Sequence, residues 1–470
     1  INLFRENRLL TPTFVSGGEN STVIDSMKRT PWAHQREAFE FAKTKRGAML
    51  AMDMGTGKSY VTVALCKEHK AKKILILCPL SVVNVWPREF NKHSSGFRVV
   101  PLDSGTVAKK AELAGVSLKV ASVTNVPCVI VVNYESAWRE PFKSFALSAG
   151  FDLVVLDESH RVKAPGGKAS RFVGQFTKKG CRVLALTGTP APHSPLDVYG
   201  QFRAVAPDIY GTSFNRFKRR YSVMGGYQNY QVVGYKNQAE MKELFDSVAI
   251  TIKKEDALDL PELTHVEIPV TMSNQARGVY DAVDKEFFTA VESGLVTIGN
   301  ALVKLLRMQQ ITGGFVKDDE GNLNELDDAK AKALKDLLTD CDKPVVVFCR
   351  FTQDIQTIRA VAESLKLRHG EVSGQQKDLD QARYPKDKDV LAVQIQAGGV
   401  GIDLTRASNG VYYSVGFSLG DYLQSLARLH RPGQKKKVTF YHLVATKTVD
   451  EKVYKALQDR KDIIKEILGV

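Results

Sequence analysis

The chain has no apolar run approaching the roughly 20 residues of a membrane-spanning helix. Its opening, INLFRENRLLTPTF, lacks the layout of a secretory leader. Both absences lead to the expectation of a soluble, cytoplasmic protein with no membrane partner. Cysteine is scarce. The six at 66, 78, 128, 181, 341 and 349 include no CxxC spacing, which argues against a zinc site. Cys78 in ILILCP and Cys349 in VVVFCR read as small buried hydrophobes in a reducing compartment. Acid is short as well: 52 Asp and Glu face 66 Lys and Arg, a net charge of +14. That balance favours a polyanionic partner, nucleic acid first.

What is there is an alternating pattern. At 470 residues the chain is too long for one core and suits two domains. Short apolar runs at 47–52, 74–78, 128–133, 152–156 and 182–187 predict one group of strands. Runs at 345–349, 390–395, 410–414 and 438–443 predict a second. Amphipathic segments at 32–43, 58–70, 328–339, 353–366 and 421–430 predict helices between them. This is the rhythm of an α/β fold with parallel sheets. The charged, proline-bearing stretch 251–266 predicts the boundary, and 273–310 a helical lead into the second sheet. The expected division is an appendage over 1–29, a first lobe over 30–252 and a second over 253–470.

Three motifs carry chemistry. AMDMGTGKS (51–59) follows an apolar run. Gly55 and Gly57 remove bulk so that backbone N–H groups, Thr56 among them, can approach phosphates. Lys58 offers charge to the phosphates, and the Ser59 hydroxyl a ligand for Mg²⁺. The looser phosphate-loop consensus wants Gly at 52, where this chain has Met52. DESH (157–160) ends another apolar run. Asp157 is expected to hold the metal, and Glu158 to orient or deprotonate an attacking water. QSLARLHRPGQ (424–434) places Arg428 and Arg431 three apart, predicting one helix face that supplies positive charge to a transition state. Together they predict an ATP- and Mg²⁺-dependent NTPase with its site in a cleft between two lobes.

Residues 216–235, RFKRRYSVMGGYQNYQVVGY, stand outside these motifs. Lys218, Arg219 and Arg220 precede an aromatic stretch folded at Gly225-Gly226, predicting a β-hairpin insertion in the first lobe. It either covers its own lobe or touches DNA, with Tyr221, Tyr227 and Tyr230 available for stacking.

The order of motifs resembles superfamily 2 helicases, and among them the Swi/Snf-like DNA translocases, from about residue 30 to about 455. PWAHQREAFEF, ILILCPLSVVNVWPREF, VVNYESAW, DESHRVKAP, LTGTPAPHSPLDVYGQF, VVVFCRFTQ, QIQAGGVGIDLTRA and QSLARLHRPGQ stand in the family's order. The resemblance implies two RecA-like lobes, adenine contact from Gln35, nucleotide contact near Gly401, and DNA contacts from Ser81 and Arg350. Ser159 stands where Ala is usual, with no expected consequence, and QIQAGG replaces the common remodeller sequence. With no chromatin-reading module, the chain resembles compact bacterial or phage members. The implied function is ATP-driven movement on duplex, forked or branched DNA. A duplex translocase that strips bound proteins, an RNA helicase and an inactive DNA-binding scaffold are the alternatives.

Overall fold

The computed structural model describes residues 23–226, 231–292, 298–317, 322–397 and 402–468. Its two large sheets are parallel throughout. In spatial order the first runs Arg98–Leu102, Cys128–Asn133, Lys73–Cys78, Leu153–Asp157, Arg182–Thr187, Gly47–Met52, Ala249–Ile252. The second runs Leu263–Val270, Val438–Ala445, Asn409–Tyr412, Val345–Cys349, Val390–Gln394, His369–Val372. The α/β, two-lobed expectation stands.

The sequence pattern found every central strand of both sheets and missed every edge strand. Central strands are covered on both faces, so they are continuous apolar runs; all of Cys128–Asn133 and Val345–Cys349 is buried. Edge strands are half covered and carry polar or charged residues, as in His265 and Glu267 of Leu263–Val270. For this reason both ends of the stretch 251–266 are strand rather than linker. The first sheet closes at Ile252 and the second opens at Leu263.

Residues 23–29 fold onto the first lobe rather than standing off it. Ile24 is fully buried, Lys28 N–H donates to His93 O at 3.0 Å, and Tyr60 OH donates to Arg29 O at 2.7 Å. The earlier part of the expected appendage lies outside the described residues.

The hairpin exists, but its basic residues are not on it. Ser222–Gly225 pairs antiparallel with Gln231–Tyr235, while Lys218, Arg219 and Arg220 belong to the helix Phe214–Tyr221. Of the apolar residues of that helix, Phe217 and Tyr221 are buried and Phe214 is half-buried. Tyr221 packs against Phe217 and Tyr210 and is no stacking platform. Tyr227 and Tyr230 lie outside the described residues.

Candidate functional site

The phosphate loop connects a buried strand to a buried helix. Gly47–Met52 ends at the carboxyl rim of the sheet, and Lys58–Glu68 begins after Gly57. Gly55 and Gly57 both have φ +89°, a conformation that other residues adopt only under strain. A Cβ at Gly57 would come 2.1 Å from Gln35 Nε2, so that glycine is also required by close approach. Gln35 is buried and donates to Thr56 O at 3.2 Å, and the His34 ring nitrogen Nε2 meets the same carbonyl at 2.8 Å. One helix start thus pins the loop through two side chains. His34 was not singled out in the sequence; its only signal was its place beside Gln35.

Lys58 folds back on its own loop, donating to Met52 O at 2.7 Å and Asp53 O at 3.2 Å. Burial holds its ammonium below the usual lysine range, against the pull of Glu158, Asp157 and Asp53. Asp157 ends the strand Leu153–Asp157 beside it. Burial, then the Glu158 charge, pushes the Asp157 carboxyl up to about 7, with Lys58 and a bond from Trp86 opposing. Trp86 Nε1 donates to Asp157 Oδ2 at 3.1 Å, and Tyr134 OH donates to Asp157 O at 2.9 Å. Glu158 is buried with φ +53°, and His160 Nδ1 lies 3.4 Å from its Oε2. The predicted metal positions, Ser59 and Asp157, offer hard oxygen donors, the chemistry Mg²⁺ requires.

Ser159 is not idle. It is buried, donates to Gln201 Oε1 at 2.7 Å, and Gln201 Nε2 donates to Pro190 O at 2.6 Å. The acidic motif is thereby tied to the LTGTP segment. An alanine at 159 could not donate that bond.

The second lobe reaches this site. The helix Leu419–Leu429 carries Arg428 in its last turn, but ends before Arg431. The two arginines therefore do not share a helix face: Pro432 and Gly433 stop the helix, and Arg431 lies in the turn that follows. A Cβ built on Gly55 would meet Pro432 Cδ at 2.9 Å and Arg431 Cβ at 3.8 Å. Arg428 is buried, and burial with the Arg431 charge lowers its guanidinium to about 10, opposed by Glu158 and Asp403. Arg431 Nη1 donates to Ile402 O at 3.2 Å. Gln434 closes the turn, donating to Ala407 O at 2.9 Å and accepting from Lys435 N–H at 2.9 Å. Gly401 lies outside the described residues.

The expected DNA-contacting residues are scattered. Ser81 is exposed in the turn Leu80–Val82 at the carboxyl end of Lys73–Cys78. Arg350 follows Val345–Cys349, is bound to Gln309 Oε1, and is lowered by burial. Arg220 is paired with Glu240 through two bonds of 2.7 Å. Arg219 is exposed, and Lys218 is half-buried.

Residues 28–314 match the model of the SNF2-related domain, and residues 329–433 that of the helicase conserved C-terminal domain. The chain belongs to the SNF2-related family. This SNF2-related chain is a helicase-family ATPase that acts on DNA. It is 24% identical to the uncharacterized ATP-dependent helicase YqhH of Bacillus subtilis, over 94% of this chain and 80% of that protein. It is 26% identical to putative protein p41 of Acyrthosiphon pisum secondary endosymbiont phage 1, over 87% of this chain and 92% of that protein. It is 24% identical to the mouse DNA annealing helicase and endonuclease ZRANB3, over 93% of this chain but 40% of that protein. It likewise spans 40% of the Mycoplasma genitalium helicase MG018. The Sulfolobus solfataricus SWI2/SNF2 ATPase core in complex with dsDNA aligns with 94% of this chain and 93% of its own, at 20% identity and a TM-score of 0.43.

Among the described residues, no helix is long and apolar enough to cross a membrane.

Proposed function

We propose that the chain is an ATP-driven translocase that moves along the backbone of duplex DNA. One observation carries this reading: Arg431 and Pro432 of the second lobe are seated on Gly55 of the first lobe's phosphate loop. A nucleotide at that loop then touches both lobes, so binding and hydrolysis change how the lobes sit together. Repeated closing and opening of two DNA-holding lobes is movement.

In this reading Gly55, Thr56, Gly57 and Lys58 cradle the phosphates, and Gln35 contacts the base. Lys58 exchanges the Met52 and Asp53 carbonyls for phosphate oxygens. Ser59 and Asp157 hold Mg²⁺, which when bound neutralises phosphate charge. Glu158 orients or deprotonates the attacking water, and His160 positions Glu158. Arg428 and Arg431 supply positive charge where the transition state gathers negative charge. DNA contacts are assigned to Ser81, Arg350, Lys218 and Arg219.

Arg220 is left out of that set because its guanidinium is paired with Glu240 in the free chain, and burial of Tyr221 removes one stacking face. Those two findings move the weight from a hairpin wedge on forked DNA toward tracking of an intact duplex. The test is ATP turnover with no DNA, single strand, duplex, fork and four-way junction. The reading requires stimulation by duplex. Turnover indifferent to every DNA would sink it, and stimulation confined to forks would restore the wedge.

A further inference from the structure

We propose that Trp86 is a positioning residue that ties the exposed turn Leu80–Val82 to the carboxylate of Asp157. The contact is direct: indole Nε1–H donates to Asp157 Oδ2 at 3.1 Å. Trp86 opens the helix Trp86–His93 and is only 3% exposed. Its ring packs on Phe90, with centroids 6.2 Å apart, and Phe90 packs on Phe97 at 5.1 Å. The indole is therefore held in place by the core, and the carboxylate is held by the indole. Tyr134 holds the backbone carbonyl of Asp157 from a different strand end, so main chain and carboxylate have separate supports. Only the carboxylate's support leads to the turn.

The turn itself is built to be touched. Leu80 is 52% exposed and Ser81 is exposed, while Val82 and Val83 anchor its inner side at 5% and 0%. A partner pressing on Leu80 and Ser81 loads a short, anchored link that ends at Trp86. The chemistry that fits such a turn is a sugar–phosphate edge, with the Ser81 hydroxyl donating to phosphate oxygen and Leu80 lying against a deoxyribose. Occupancy of the turn would then alter how firmly Asp157 is oriented, and groups that orient a metal-binding carboxylate tune its affinity. The proposal rests on the metal role assigned to Asp157 above.

The test reads binding rather than turnover. The fluorescent nucleotide MANT-ADP is titrated onto the full chain in EDTA and across a Mg²⁺ series, with and without duplex DNA. Trp86→Phe removes the donor. A second variant carries 3-benzothienylalanine at position 86, which keeps the shape and replaces N–H by sulfur. The expected result is unchanged affinity in EDTA and a Mg²⁺ midpoint raised roughly tenfold, with duplex DNA shifting that midpoint in the wild type and not in the Trp86 variants. A wild-type midpoint that duplex DNA leaves in place overturns the link to the turn. An unchanged midpoint in the benzothienyl variant overturns the proposal, as does an equal loss of affinity with and without metal. Asp157→Asn separates the two levels. If it too leaves the midpoint unchanged, the metal assignment has failed; if it shifts the midpoint while the Trp86 variants do not, only the Trp86 link has failed.

Discussion

Pro432 of the second lobe lies against Gly55 of the phosphate loop, so close that a methyl group at 55 would come 2.9 Å from its Cδ. Gly55→Ala therefore meets two obstacles. At φ +89° an alanine is strained by about 1–2 kcal/mol, and its Cβ pushes the arginine turn away. Turnover is expected to fall at least tenfold. Gly96→Ala is the control, with φ +85° and nothing within 4 Å of the added carbon; it should lose stability and keep turnover. Equal turnover in both variants would show that the contact between lobes does not matter.

Lys58 and Glu158 should fail differently. Lys58→Ala removes charge that holds phosphates, so nucleotide binding and turnover both fall. Glu158→Gln keeps the shape and loses the base, so ATP still binds while turnover drops by about two to four orders of magnitude. Near wild-type turnover in Glu158→Gln would remove it from the base role.

The arginines should also separate. Arg431→Ala is expected to cut turnover about 10³-fold or more with little change in ATP affinity. Arg428 is buried among Glu158, Arg431 and Asp403, so Arg428→Ala should lose stability as well as turnover. Thermal unfolding of both variants checks this. An Arg428→Ala protein with a wild-type melting temperature would contradict the buried assignment.

Salt dependence can sort the basic helix. Removing one cation that neutralises a duplex phosphate reduces the slope of log K against log salt by about 0.9. Arg219→Ala should show that reduction. Arg220→Ala should not, because Glu240 already takes its guanidinium. The reverse order of slopes would mean that DNA displaces Glu240.

His442 sets an acid limit on the second lobe. It is 2% exposed, stacks on Tyr412 with centroids 5.0 Å apart, and burial with the His265 neighbour lowers its pKa to about 3. The unfolded chain takes up a proton near pH 6.5 that the folded one refuses, so stability is lost as pH falls from there toward 3. At pH 5 the loss is roughly 2 kcal/mol. Urea unfolding at pH 8 and pH 5 should show this difference shrinking in His442→Phe. An identical pH dependence would refute it.

What is encoded locally was legible before the fold was known. Runs such as Cys128–Asn133 are apolar on both faces because both faces are covered, and so the central strands of both sheets could be read. The glycines of the phosphate loop could be read because backbone conformation there admits little else. The paired carboxylates stood out because they end an apolar run. Edge strands such as Leu263–Val270 were not legible, since half coverage relaxes the apolar pattern that reveals a strand. The Pro432-Gly433 pair does mark a helix stop near Arg431, but local pattern could not show that Lys218, Arg219 and Arg220 belong to a helix beside the hairpin. The contacts that make a site came only with tertiary structure. Trp86 meets Asp157 across 71 residues, and Ser159 meets Gln201 across 42. Pro432 meets Gly55 across the lobe boundary. None of these has a sequence period, because each depends on how whole elements pack, and packing is decided by the sum of two cores rather than by any one segment.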